Sequence, residues 1–207
     1  NVWKCTEELT NVGVIGFDHD LFDYSEATYD ELYGLIMNKD TRGFDGAHEL
    51  CGDLQFYSDI SKGITTPGPL YIYSTEGNPG ERFSSIEIGE RVNIFSGSPN
   101  GCTIDNIAMK FTGAHAIGFG TSRNIRVTNC VFSWLGGSVL RINDDKSATN
   151  YGNAVEIYGG CVGYHVENNW MYQIYDTAVT HQRSSSTGDC IQQDVSYLSN
   201  LMEYVFW

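Results

Sequence analysis

Between Asn153 and Gln182 the chain gathers Glu156, Tyr158, Asp176, Thr180, His181 and Gln182, side chains able to exchange protons or bind hydroxyl groups. Two more carboxylates, Asp144 and Asp145, stand just before them. A glycosidase needs two carboxyl groups flanking the bond it breaks, one as acid and the other as base or nucleophile. Glu156 lies in Val155-Glu156-Ile157, where strand alternation turns the two apolar residues inward and the carboxylate outward. Asp176, in IYDTAV, is either a second carboxylate for the same groove or an Asx turn bonding the amide two residues on. Asp144 and Asp145 offer another partner: adjacent carboxylates raise one another's pKa or hold a cation such as Ca²⁺, and in a polar loop they are otherwise simply solvated. His181 could serve as a base, His181, Thr180 and Gln182 could bond sugar hydroxyls, and Tyr158 could stack on a sugar face. The bland alternative for His181, and for His115 in GAHAIG, is a structural histidine.

What must position these groups is a repeat. Ile104-x-Asn106, Val127-x-Asn129, Val166-x-Asn168 and Leu198-x-Asn200 superpose, with spacings of 23, 39 and 32 residues between the Asn positions. The two longer spacings are the first plus insertions at roughly 140–152 and 183–191. Ile117, Val155 and Val179 open the next strand of successive repeats. A period in the low twenties with three short strands per period predicts an all-β fold, a parallel β-helix solenoid whose coils bury a continuous apolar column. Its strands stack about 4.8 Å apart, so equivalent positions form ladders. The Asn column reads as a turn device, since Asn tolerates left-handed backbone angles. An antiparallel sandwich would not preserve one motif at fixed offsets, and the LxxLxL of a leucine-rich repeat is absent.

The coils are expected over 68–207, beginning with LYIYS at 70–74 and SIEIG at 85–89. Residues 1–67 read as an irregular N-terminal segment or insertion. It carries a strand near 12–17 and a short helix over about 25–38, where Ser25 can cap and Tyr29, Leu32, Tyr33 and Ile36 share one face. The last coil, LSNLMEYVFW, aligns with VENNWMYQIY and is incomplete. Further β-helix chain or a second subunit is therefore expected to pack on it.

The net charge of −14 disfavours nucleic acid, which is bound through Lys and Arg. No apolar run reaches the roughly 18 residues of a membrane span. The six cysteines have no metal-site spacing and read as small buried apolar residues. The chain starts at Asn1, so a leader or upstream region is expected to have been removed.

The segments GPLYIYSTEGNPGERFSSIEIG, NIAMKFTGAHAIGFG, NIRVTNCVFSWLGGS, YGNAVEIYGG and YQIYDTAVTHQ resemble the bacterial right-handed parallel β-helix proteins of the pectin-lyase-like superfamily. The resemblance covers about residues 68–207. It implies a secreted or cell-surface protein acting on a polysaccharide as glycoside hydrolase or lyase, or serving as a passive surface module. The chain departs from the polygalacturonase pattern, because Asp144-Asp145 has no Asn-Thr-Asp before it and no Gly-His-Gly after it. Arg123, Arg126 and Arg141 are present without the acidic Ca²⁺ triad of a pectate lyase. The expectation is a secreted glycoside hydrolase using Glu156 with Asp176 or the Asp144-Asp145 pair on a carbohydrate substrate, without a cofactor beyond a possible Ca²⁺. The alternatives are a lyase with His181 or an Arg as base, and a non-catalytic carbohydrate-binding β-helix.

Overall fold

The computed structural model describes residues 1–18, 46–183 and 190–205, with residues 35–37 as backbone alone. The chain divides into two compact units, Asn1–Arg91 with Gly137–Tyr151, and Val92–Gly136 with Gly152–Trp207.

In the first unit, β1 (Val2–Leu9), β2 (Val14–Phe17), β3 (Leu35–Met37), β4 (Phe56–Ser58), β5 (Gly68–Tyr73) and β6 (Ile86–Gly89) form two antiparallel sheets, ordered β1-β5-β4 and β3-β2-β6. Val12, Ile15, Phe17, Leu54, Phe56, Leu70 and Ile72 close over one another as its core. The strand expected near 12–17 is β2. The helix expected over 25–38 lies outside the described residues, except that Leu35–Met37 is a strand paired to β2. A short helix, Pro79–Arg82, occupies the Asn78-Pro79-Gly80 turn instead, with the Asn78 side chain accepting the Gly80 N–H at 3.0 Å. The segments expected to open the coils at 70 and 85 are β5 and β6, and they pair antiparallel with β1 and β2. Period-two alternation is the same in parallel and antiparallel strands, so it could not separate the two cases.

The second unit begins its strands at Phe95. β7 (Phe95–Gly97), β8 (Asn100–Asp105), β9 (Ala108–Thr112), β10 (Ile117–Phe119), β11 (Ser122–Thr128) and β12 (Val131–Leu135) make two successive rungs of three strands. The insertion at 140–152 is then a hairpin, β13 (Ser138–Ile142) and β14 (Ala148–Tyr151), which belongs to the first unit. There the buried Asn11 ties it down: Val139 N–H donates to Asn11 Oδ1 at 2.9 Å, and Asn11 Nδ2 donates to Val139 C=O at 2.8 Å. Two more rungs follow, β15 (Val155–Tyr158), β16 (Cys161–Glu167), β17 (Trp170–Ile174), and β18 (Val179–Gln182), β19 (Gln192–Leu198), β20 (Leu201–Val205). Every third strand returns to the same sheet, giving three parallel sheets ordered β7-β10-β15-β18, β8-β11-β16-β19 and β9-β12-β17-β20. Stacked inward residues, among them Ile117, Ile125, Val127, Phe132, Val155, Ile157, Val166 and Ile174, are fully or almost fully buried. Cys130 and Cys161 join this core, Cys5, Cys102 and Cys190 are half-buried, and Cys51 is exposed; all six are free thiols.

Left-handed backbone angles recur on a grid. Gly101, Asn106 and Phe111 in the first rung, Asn124, Asn129 and Trp134 in the second, Gly163, Asn168 and Gln173 in the third, and Asp194, Ser199 and Tyr204 in the fourth all have positive φ. The middle member of each set is the turn column anticipated from Asn, with one correction. Tyr197, not Leu198, pairs with Val166, so Ser199 takes the turn position. Asn200 is used differently: its Oδ1 accepts the Asn169 N–H at 3.0 Å, and its Nδ2 donates to Val166 C=O at 2.8 Å. Left-handed angles cost a Cβ-bearing residue about 1–2 kcal/mol, and Asn recovers part of that locally. Asn129→Ala is therefore expected to lower stability by about 1 kcal/mol in urea unfolding, while Asn129→Gly stays closer to wild type.

Candidate functional site

The first parallel sheet presents one outward column, Ser96, Gly118, Glu156 and Thr180, from four consecutive rungs. Two residues ahead of each strand runs a corner column, Asn93, His115, Asn153 and Thr177. Here the first three side chains each accept the backbone N–H of the next rung. His115 N–H donates to Asn93 Oδ1 at 3.1 Å, Asn153 N–H to His115 Nδ1 at 2.9 Å, and Thr177 N–H to Asn153 Oδ1 at 2.9 Å. The relay satisfies backbone donors that a turn between parallel strands would leave buried and unpaired. Asn suffices for this duty at 93 and 153. Histidine at 115 performs it with Nδ1 and has a second ring nitrogen to spare.

That nitrogen faces Glu156. Because His115 Nδ1 accepts a backbone N–H, the ring proton sits on Nε2, which lies 3.4 Å from Glu156 Oε1. Burial pulls the imidazole pKa down to about 4, so the ring is neutral at pH 7 and the contact is not an ion pair. The other carboxyl oxygen, Oε2, is held by Asn153 Nδ2 at 2.6 Å, Gln182 Nε2 at 3.2 Å and Thr180 Oγ1 at 3.3 Å. Oε2 is thereby saturated with donors, and Oε1 is the oxygen left to exchange a proton with a ligand. The Glu156 side chain is only 12 % exposed. Burial raises its pKa, the nearby charge of Asp176 raises it further, and the bonds from Asn153 and Thr180 pull the other way without cancelling the rise.

Asp176 bonds through its own N–H to Gly152 C=O at 3.2 Å, and its carboxylate accepts the Thr177 hydroxyl at 3.2 Å. Tyr158 shares the outward face of Glu156, is 47 % exposed and stands in register with Gln182. Of the residues singled out in the sequence, Glu156, Tyr158, Asp176, Thr180 and Gln182 thus gather around one sheet face. His181 does not. It pairs with the inward Ile157, and its Nδ1 lies 2.5 Å from Tyr197 OH. Asp144 and Asp145 occupy the tip of the β13–β14 hairpin in the first unit, where Ser147 caps Asp145 through its N–H at 2.9 Å and its hydroxyl at 2.6 Å. Those bonds hold the Asp145 carboxyl below its ordinary value, as suits a turn device.

No protein-family model, curated protein or solved structure matches this chain. The chemistry is therefore read from the geometry. Among the described residues no three His, Cys, Asp or Glu side chains gather as a metal site, and no helix is long and apolar enough to cross a membrane.

Two residues central to this arrangement, His115 and Asn153, are not among those the sequence singles out for it. The signal that marks them is the polar residue two positions before each first strand, in NIF, HAI, NAV and TAV. Gly118 supplies the remaining condition. A Cβ there would collide with Asn93 Nδ2 and sit 3.2 Å from His115 Cδ2. Gly118→Ala is expected to push both side chains aside and cost about 1 kcal/mol of stability. Urea unfolding reads the cost, and the carboxyl ¹³C shift of Glu156 reads the displacement of His115.

Proposed function

We propose that the second unit is a length of right-handed parallel β-helix and that the Glu156 face is the active site of a secreted glycoside hydrolase. The observation that carries this reading is the nearly buried Glu156, kept prone to hold a proton by burial and by a second carboxylate, Asp176, on a face that also exposes Tyr158. In this reading a sugar ring rests on Tyr158 and Glu156 Oε1 delivers its proton to the glycosidic oxygen. The carboxylate left behind is steadied by Asn153, Thr180 and Gln182, with the His115 Nε2–H turned toward it. Asp176 acts on the opposite side of the scissile bond, either drawing a proton from water or attacking the sugar carbon itself.

Among the described residues the contacts of Glu156 include no Lys or Arg, and Asp176 adds negative charge, so a neutral glycan suits the site better than a uronate. The same charge argument favours a hydrolase over a lyase, and of the lyase's candidate bases, His181 or an Arg, the exposed His181 is engaged with Tyr197 and not with Glu156. A second reading, a non-catalytic glycan-binding face, draws support from the saturation of Oε2 by protein donors. Incubation with a panel of neutral and acidic polysaccharides separates the possibilities. The hydrolase yields saturated oligosaccharides with new reducing ends, a lyase yields products absorbing in the ultraviolet, and a binding face yields retention on a glycan column without products.

A further inference from the structure

The second sheet of the same unit holds a constellation that the Glu156 face does not use. On β16 and β19, His165 and Ser196 are direct cross-strand partners. Each alternates with residues of the core, Tyr164 and Val166 on one strand and Val195 and Tyr197 on the other, so both point outward. Ser196 Oγ lies 2.7 Å from His165 Nδ1. The opposite ring nitrogen, Nε2, lies 3.3 Å from Asp194 Oδ2. Asp194 reaches it because its left-handed backbone (φ 54) steps out of the ladder opposite Gly163.

We propose that Ser196, His165 and Asp194 form a second catalytic centre, a serine esterase site for short, uncharged acyl esters. A serine and a histidine side by side on neighbouring strands need only the first of these contacts. The carboxylate on the far nitrogen gives the order hydroxyl, imidazole, carboxylate that acyl transfer requires. With the proton on Nε2, toward Asp194, Nδ1 offers its lone pair to Ser196. Among the described residues Ser196 has one other acceptor within reach, Glu167 Oε1 at 3.2 Å. Glu167 is itself held by Arg126, whose NH1 lies 3.0 Å from Oε2, and its Oε1 lies 3.9 Å from His165 Nδ1. The hydroxyl has a single proton, and the shorter contact is to the imidazole.

In the reaction Ser196 Oγ bonds to the ester carbonyl carbon while its proton passes to His165 Nδ1. The carbonyl oxygen takes the electron pair as the tetrahedral adduct forms. Collapse breaks the bond to the alcohol oxygen, which leaves with the proton from Nδ1. Water then attacks the acyl-serine, gives one proton to Nδ1, and releases the acid as that proton returns to Ser196 Oγ. Asp194, 68 % exposed, and Glu167 disfavour an anionic acyl group. Leu198, two residues beyond Ser196 on the same face and exposed, offers an apolar rest for a short acyl chain.

The test uses the whole chain with a fluorophosphonate probe and p-nitrophenyl acetate. Peptide mass spectrometry should find the phosphonate on Ser196. Ser196→Ala should lose the label and at least about 10²-fold of ester turnover, and His165→Gln the same. Asp194→Asn should retain the label at a reduced rate. Glu156→Gln should leave both readouts unchanged, which separates this centre from the glycan site. Absence of label on Ser196 in the wild type overturns the proposal, as does a Ser196→Ala protein that turns over ester at the wild-type rate.

Discussion

Glu156→Gln is expected to lower glycan turnover by about 10²–10⁴-fold, the contribution of a positioned general acid, while glycan binding changes little. The amide matches the carboxyl in size and keeps an oxygen for Asn153 Nδ2, Thr180 and Gln182, and its NH2 takes the place of Oε1 opposite the His115 Nε2–H. What it removes is the proton on Oε1. Asp176→Asn should also slow turnover by about 10²-fold or more, because it takes away the second carboxylate and one cause of the raised Glu156 pKa. In the wild type, kcat should decline as pH rises through the elevated pKa of Glu156, since the acid must be protonated to act. Reducing-end release measures turnover and calorimetric titration measures binding. A Glu156→Gln protein within tenfold of wild type would remove Glu156 from the chemistry.

Acid should destabilise the protein through His115, by about 3 kcal/mol between pH 6.5 and pH 4. The sign follows from where the proton is favoured. The folded protein binds it with a pKa of about 4, against 6.5 for an ordinary histidine. The fold therefore prefers the neutral ring. That preference contributes its full stability above pH 6.5 and loses it as pH falls toward 4, at about 1.4 kcal/mol for each tenfold difference in proton affinity. Glu156 works in the opposite sense. Its folded pKa is raised, so its contribution is complete below the ordinary 4.5 and is lost as pH rises through the folded value. The variants separate the two. His115→Asn keeps an acceptor for the Asn153 N–H, as Asn93 and Asn153 do in their own rungs, and should retain near-wild-type stability at pH 7. Its stability should then fall less than the wild type's on acidification. Urea unfolding at pH 7, 5.5 and 4 makes the comparison, and parallel curves for the two proteins would refute this account of His115.

The stacked strands of the second unit were legible because stacking repeats a chemical requirement. Val, Ile and Leu recur wherever a rung turns inward, and Asn recurs at a turn that needs positive φ. Glu156 stood out for the same reason, as the residue that the column did not demand. Other features left weaker marks. Phe111, Trp134, Gln173 and Tyr204 share left-handed angles, yet their residue types give no hint of it, because bulky side chains seldom adopt such angles. The one-residue shift at Tyr197 was hidden by Asn200, whose amide serves a different bond from that of Asn168. The corner relay joins residues 22, 38 and 24 apart through backbone donors, which no side-chain pattern advertises. The antiparallel pairing of β5 and β6 was likewise out of reach, since the alternation of apolar residues is blind to strand direction.

The most direct test of the proton-holding carboxyl needs no substrate. Glutamate labelled with ¹³C at the side-chain carboxyl, assigned with Glu156→Gln, reports the titration of Glu156 by NMR in the wild type and in Asp176→Asn. The predicted result is a midpoint above 4.5 in the wild type that moves down when the Asp176 charge is removed. A midpoint at or below 4.5, unchanged in Asp176→Asn, would contradict the role given to Glu156.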